Sequence, residues 1–241
     1  MFTEEEMAEL KEKYGNVSWN PLTPLNFLKR SEWVFPNKTA VVDGGRAYTW
    51  KEFAGRVYRL AHALQGKGVH KNDRVAILSR NNSAMLESFY GIGMAGGVSV
   101  PINYRLTPKE IAYILNHSES KILILDHAYT ESVRTIRGEL ETVECCVEIP
   151  SPDLNEVILG IEYDEFLSVA SDEPVDVPVQ DELDMLSIGY TSGTTGIPKG
   201  AMLTHKGLCK TGMIEIQELR LRNEDIALHV MPFFHVGGMW Y

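Results

Sequence analysis

Blocks of hydrophobic and polar residues alternate along the chain and predict helices and strands in turn. In residues 51–65 the apolar side chains recur at helical spacing, and Gly66 and Gly68 end the pattern. The strands predicted downstream are 74–78, 98–102, 121–125, 143–147, 184–190 and 226–231. The helices predicted between them are 83–94, 108–116, 130–138 and 205–220. This alternation predicts an α/β fold with a mainly parallel β-sheet flanked by helices.

The N-terminal region carries local signals of its own. Thr3 and Glu6 form a capping-box pattern that predicts a charged helix to about residue 13. A second helix is predicted over 25–33, and a β-hairpin over 39–50 around Gly44 and Gly45. The predicted organisation is a lead-in (1–23), a first α/β subdomain (24–170), an acidic connection (171–184) and the start of a second α/β subdomain (185–241).

Composition narrows the classes of partner. The chain has 241 residues and a net charge of -10, which argues against nucleic acid, because phosphate backbones require a basic face. Three cysteines without zinc spacing fit a reducing compartment. The N-terminus is acidic, and the longest aliphatic run is too short to cross a bilayer. We therefore expect a cytoplasmic protein without a transmembrane segment, with peripheral membrane contact left open.

The segment Tyr190–Gly200, with the sequence YTSGTTGIPKG, carries the strongest chemical signal. Glycines allow backbone N–H groups to approach an anion, hydroxyls donate to phosphate oxygens, and a lysine adds a mobile charge. The segment follows a predicted strand, and open α/β sheets bind ligands at the carboxyl ends of their strands. It is not a Walker A loop, because Gly200 follows Lys199 where that motif has Ser or Thr. We predict a polyphosphate-binding loop, and the alternative is a flexible Gly/Thr surface loop.

The same segment resembles, position by position, the phosphate-binding signature of the AMP-forming adenylating enzymes. That superfamily comprises acyl-CoA synthetases, aryl-CoA ligases, firefly-type luciferases and peptide-synthetase adenylation domains. Residues 100–106 (VPINYRL) with Glu110, Tyr113 and Leu115 resemble the family's upstream segment, and residues 232–238 (PFFHVGG) resemble its next downstream motif. The resemblance runs from about Pro24 to the last residue.

The resemblance implies the N-terminal part of the family's large domain, with ATP and Mg²⁺ as cofactors. A carboxylate attacks the α-phosphate of ATP, giving an acyl-adenylate and pyrophosphate, and coenzyme A then takes the acyl group. Lys199 would track the leaving pyrophosphate, and Thr191 would ligate Mg²⁺. The predicted ATP-binding residues are Thr191, Ser192, Gly193, Thr194, Thr195, Gly196 and Lys199.

The downstream motif implies an acyl pocket. The resemblance assigns Phe233, Phe234, His235 and Gly237 to the substrate pocket, with His235 and Lys199 as the catalytic candidates. Core packing explains the two phenylalanines equally well, and His235 could be a core histidine.

The family's later motifs, which complete the adenine and ribose sites, have no counterpart here. We therefore expect an N-terminal piece of an acyl-CoA synthetase, with a fatty acid as substrate, that is inactive alone and could form a homodimer. The alternatives are an aryl-CoA or amino-acid-adenylating enzyme, and a non-catalytic nucleotide-binding or interaction protein.

Overall fold

A computed structural model of the chain describes residues 3–14, 21–151, 159–175, 179, 181–191 and 197–239. The helices are α1 Glu4–Tyr14, α2 Leu25–Val34, α3 Trp50–Gly66, α4 Ser83–Met94, α5 Pro108–His117, α6 Thr130–Ile136, α7 Tyr163–Ser168, α8 His205–Glu218 and α9 Val236–Met239. The strands are β1 Thr39–Asp43, β2 Arg46–Thr49, β3 Arg74–Leu78, β4 Val98–Pro101, β5 Ser120–Asp126, β6 Cys145–Ile149, β7 Ile161–Glu162, β8 Met185–Thr191 and β9 Lys199–Thr204.

Capping residues mark where the helices begin. Thr3 and Glu6 exchange the two hydrogen bonds of a capping box at α1, and Thr107 and Glu110 do the same at α5. Pro108 occupies the first turn of α5, where its missing N–H has no partner to lose. The predicted helices 25–33, 51–65, 83–94 and 108–116 therefore agree with the structure to within one or two residues at each end.

A seven-stranded sheet in the order β7-β6-β5-β3-β4-β8-β9 forms the centre of the described chain. Every neighbouring pair from β7 to β8 is parallel, and β9 alone runs antiparallel to β8. The predicted mainly parallel α/β sheet is confirmed. Because β4 pairs with β8, the strand that leads into the phosphate segment belongs to the same sheet as β3–β6.

Two apolar layers cover the two faces of the sheet. Along β3, Val75 and Ile77 face one layer, and Ala76 and Leu78 face the other. This alternation follows from the period of two in a strand, and burial on both faces explains its uninterrupted apolar sequence. Helices α2, α3, α4 and α7 contribute to the first layer, and α5 and α6 to the second. The missing side chain of Gly91 lets α3 and α4 pack closely, since a Cβ on Gly91 would lie 2.7 Å from Leu60 Cδ2.

The predicted strand over 226–231 is wrong. These residues have no regular secondary structure, and most of their side chains face solvent. The alternating pattern of Ile226, Leu228 and Val230 suits a strand, but a strand forms only beside a hydrogen-bonding neighbour, and no described strand pairs with this segment. The sequence reading also missed β7 and α7. The domain boundary at 184/185 stays a prediction.

Candidate functional site

Several predicted functional segments meet at one edge of the sheet. The parallel strands β3, β4, β5 and β8 all end there, so the residues that follow them are brought together. Asn81 follows β3, Tyr104 follows β4, Tyr129 follows β5, and Thr191 ends β8. In open α/β sheets this carboxyl edge is the usual ligand-binding side. The predicted link between phosphate segment and strand end is thus realised.

The two ends of the phosphate segment are held side by side. Thr191, the last residue of β8, pairs with Lys199, the first residue of β9. Both side chains are exposed, and Lys199 forms no ion pair with the part of the chain that the structure describes. A hydroxyl and an ammonium group therefore lie on adjacent strand ends, facing solvent, where an anionic ligand can reach them.

The remaining predicted phosphate ligands are Ser192, Gly193, Thr194, Thr195 and Gly196, and they lie outside the described residues. Their roles stay predictions. The same holds for the role of Thr191 as a magnesium ligand and for the part that Lys199 takes in pyrophosphate departure.

Strands β8 and β9 form a two-stranded stem below these ends, in which a tyrosine faces a glycine. Tyr190 pairs with Gly200 across β8 and β9. A Cβ on Gly200 would lie 2.7 Å from Ile188 Cγ2 and 3.4 Å from the Tyr190 ring, so a larger residue would clash with Ile188. Burial of the ring raises the pKa of Tyr190 to about 12, so its hydroxyl stays protonated at neutral pH.

Helix α5 contacts β8 and the residue immediately before β9. The His117 Nδ1 atom lies 2.7 Å from the Tyr190 hydroxyl, and the Tyr113 hydroxyl donates to the Pro198 carbonyl at 3.5 Å. The Tyr113 and His117 rings stack with their centroids 5.2 Å apart. The sequence analysis noted Tyr113 only as part of the resemblance and missed His117 altogether.

The downstream motif is tied to the same edge of the sheet by Asn81. The Asn81 side-chain amide donates to the Met231 carbonyl at 2.7 Å, and its side-chain oxygen accepts from the Phe233 N–H at 2.8 Å. One side chain after β3 thus fixes a segment about 150 residues away in sequence. No signal in a single sequence would have identified Asn81, because asparagine is common in loops.

The two predicted pocket phenylalanines have different environments. Phe233 is buried and joins the apolar layer that contains α2, α3 and α4. Phe234 is half-buried, and its ring meets Tyr104 edge-on at a centroid distance of 5.1 Å. Tyr104 in turn stacks on Tyr129 at 5.7 Å. Phe234 therefore belongs to an aromatic group at the carboxyl edge, where it is available to line a pocket.

His235 is exposed among the described residues, and its role stays a prediction. Its Nδ1 atom accepts from the Gly237 N–H at 3.3 Å, which leaves Nε2 free for a donor or acceptor outside this turn. Gly238 has no room for a side chain, because a Cβ there would lie 2.2 Å from the Pro232 carbonyl oxygen. The glycines thus fold residues 232–238 into a tight turn that presents His235.

Two arginines add positive charge to this edge. The Arg80 guanidinium lies 3.4 Å from the buried Asp126 carboxylate, and the Arg105 guanidinium lies over the Tyr104 ring. Chemically, the edge offers hydroxyl, ammonium and guanidinium groups for an anion beside an aromatic surface for an apolar group. Asn103, by contrast, is a turn residue whose side-chain oxygen accepts from the Arg105 N–H.

The comparisons with known proteins agree with this geometry. The AMP-binding enzyme family matches residues 28–241. A 4-hydroxybutyrate–CoA ligase of Metallosphaera sedula is 39% identical over 226 residues, with 92% of this chain and 41% of the relative covered. A peroxisomal trans-cinnamate:CoA ligase of Petunia hybrida is 34% identical, with 92% of this chain and 42% of the relative covered.

A solved structure, a long-chain-fatty-acid-CoA ligase from Archaeoglobus fulgidus, matches with a TM-score of 0.82 and 25% identity. The match covers 92% of this chain and 45% of that structure. The chain thus spans less than half the length of each of these three proteins. Since the family match includes most of the sequence, from α2 through the phosphate segment to the turn at His235, the chain belongs to the AMP-binding enzyme family.

Proposed function

We propose that this chain supplies the N-terminal portion of an ATP-dependent acyl-CoA synthetase. The reaction joins a carboxylate to AMP with release of pyrophosphate, and then transfers the acyl group to coenzyme A. The observation that carries the proposal is the pairing of Thr191 with Lys199 at the carboxyl end of a strand in the parallel sheet. Both relatives named above are CoA ligases, which supports the same reaction.

The chemistry assigned to the site is mainly positioning and charge compensation. A carboxylate is a poor electrophile because its charge repels nucleophiles, and activation at the α-phosphate of ATP removes that obstacle. Lys199 would bind the β- and γ-phosphates and stabilise the charge that develops on departing pyrophosphate. Its exposed position and lack of an ion pair with described residues leave its charge available for that purpose.

Magnesium would arrive with ATP, because Mg²⁺ prefers oxygen ligands and commonly shares substrate phosphates. The exposed Thr191 hydroxyl has the right donor type and lies beside Lys199 at the strand end. Thr191 would therefore hold the ion together with phosphate oxygens. The ion would screen the triphosphate, while Lys199 would supply charge from the protein side.

The aromatic group around Phe234 supports an apolar acyl chain as the substrate. Phe234, Tyr104 and Tyr129 offer ring surface beside His235, and we propose a fatty acid as the carboxylate. An aryl acid is the second candidate, because ring-on-ring contacts suit it and a trans-cinnamate:CoA ligase is among the relatives. His235 would contact the acyl or nucleotide edge.

We also propose a cytoplasmic location. The three free cysteines, Cys145, Cys146 and Cys209, support it, and burial raises the pKa of each thiol and so lowers its reactivity. Among the described helices none is long and apolar enough to cross a membrane.

Carboxylate-dependent ATP–pyrophosphate exchange tests the function. The panel contains short, medium and long fatty acids, aryl acids and amino acids. We expect the 241-residue chain alone to be silent. We expect exchange once the chain is fused to the part of the Metallosphaera sedula relative that it does not cover, with Lys199→Met as the matched loss-of-function variant. A fusion that exchanges equally well with and without Lys199 would contradict the proposal.

A further inference from the structure

We propose that His117 and Tyr113 of α5 are positioning residues for the phosphate site, because they fix the two strand ends that carry Thr191 and Lys199. The structural part of this inference concerns the backbone of the chain itself. Its consequence for nucleotide binding rests on the proposed function.

The first step is the contact with β8. His117 Nδ1 and the Tyr190 hydroxyl are 2.7 Å apart, a normal hydrogen-bond distance, and the two rings meet edge-on at 5.8 Å. Tyr190 immediately precedes Thr191, so the contact restrains the strand one residue before its end.

The second step is the contact with the residue that leads into β9. Tyr113 lies one helical turn before His117, so both side chains project from the same face of α5. The Tyr113 hydroxyl reaches the carbonyl of Pro198, the residue before Lys199, at 3.5 Å. The stacked pair thus contacts Tyr190, the residue before Thr191 in β8, and Pro198, the residue immediately before β9 begins.

The third step is the glycine beneath the ring. Tyr190 pairs with Gly200, and its ring lies close to the Gly200 backbone, since a Cβ there would lie 3.4 Å from the ring, in van der Waals contact. An aromatic ring over a cross-strand glycine compensates for the missing side chain of that glycine. The ring of Tyr190 is therefore held between α5 and β9, and it transmits the position of the helix to both strand ends.

This restraint matters because β9 is the edge strand of the described sheet. Its first four residues are exposed, and β8 is its one strand partner there. An edge strand is hydrogen-bonded on one side only and so opens more easily than a central strand, and a site whose ligands shift by about 1 Å can lose about a hundredfold in rate. His117 is itself exposed, so burial of its own surface does not explain its place in this cluster.

The test compares wild type with His117→Ala, Tyr190→Phe and the double variant. Amide hydrogen exchange by mass spectrometry follows residues 185–191 and 197–204, with β3 as the internal reference. Isothermal titration measures the Kd for Mg·ATP. We expect each single variant to speed exchange in the two strand ends but not in β3, and to weaken Mg·ATP binding about 3- to 10-fold.

Because the two groups act through one contact, we expect the double variant to be no worse than the more damaging single variant. His117→Asn can place its side-chain oxygen near the position of Nδ1, and we expect it to restore most of the affinity and protection. His62→Ala is the control, since His62 is a histidine of α3 that contacts the Glu173 carbonyl instead.

Unchanged exchange at the strand ends, or losses that simply add in the double variant, would overturn the proposal. Faster exchange in β3 as well would assign His117 to general stability, and would also overturn it. If wild type itself binds no Mg·ATP, the proposed function fails, while the exchange data still decide whether α5 fixes the strand ends.

Discussion

Large apolar side chains are buried in the central strands of the sheet but exposed in residues 219–231. Leu123 in β5 is 0% exposed between two helical layers, whereas Ile226, Leu228 and Val230 are 96%, 86% and 78% exposed. Isolated apolar residues on a surface are normal, but a run of alternating large ones is not. The contrast teaches that helices cover the apolar side chains of the central strands, whereas the described residues leave the apolar side chains of 226–230 uncovered.

The first prediction tests this contrast with one substitution at two places. Leu123→Ala removes a fully buried side chain and should lower the free energy of unfolding by about 2–5 kcal/mol. Leu228→Ala, at an exposed position, should change it by less than about 0.5 kcal/mol. Urea unfolding monitored by circular dichroism measures both values. Equal losses would mean that residues 219–231 are packed in solution.

The second prediction concerns the buried His205 at the start of α8. Its Nδ1 atom lies 2.8 Å from the Thr23 hydroxyl, and burial lowers the pKa of His205 to about 4, against the attraction of nearby Asp184 and with the help of Lys71. In the unfolded chain His205 therefore binds a proton below about pH 6.5. In the folded chain it binds one only below about pH 4. Stability contributed by neutral His205 is present above pH 6.5 and falls as the pH decreases.

The loss should approach about 3 kcal/mol at pH 4. His205→Asn removes the titration but keeps a side-chain acceptor for Thr23, so its unfolding free energy should fall less over the same pH range. Carboxylates contribute equally to both proteins. Parallel curves for the two would show that His205 titrates normally.

The third prediction concerns the exposed run itself. We expect the 241-residue chain to self-associate at micromolar concentration through residues 226–231. The variant carrying Ile226→Asp and Leu228→Asp should weaken this association about tenfold or more, because charges at an apolar contact must be desolvated. Val169→Asp is the control, since Val169 is exposed but lies beyond α7, in another region of the chain. Light scattering across a concentration series measures the effect.

Local signals in the sequence predicted most of the sheet body. Thr107, Pro108 and Glu110 specify the start of α5 by themselves, and a strand buried on both faces, such as β3, has an apolar run that is readable without tertiary information. Residues 226–231 have an alternating apolar pattern that also suits a strand, but the pattern cannot reveal whether a neighbouring strand exists. That is why the prediction failed there.

The residues of the candidate site were likewise predicted only in part. The YTSGTTGIPKG segment identified Thr191 and Lys199, because phosphate chemistry requires those residue types at close spacing. The sequence did not identify Asn81 and His117, because their roles depend on contacts with residues that are 152 and 73 positions away. Only the fold brings these residues together.

Titration of Mg·ATP into the 241-residue chain tests the central claim most directly. Isothermal titration at constant ionic strength compares wild type with Lys199→Met and with the control Lys210→Met. The control removes an exposed lysine from α8. Loss of one charge-assisted hydrogen bond should weaken binding by Lys199→Met about 10-fold or more, with Lys210→Met unchanged. Equal affinity of all three proteins, or no binding by wild type, would contradict a phosphate site at the end of β8.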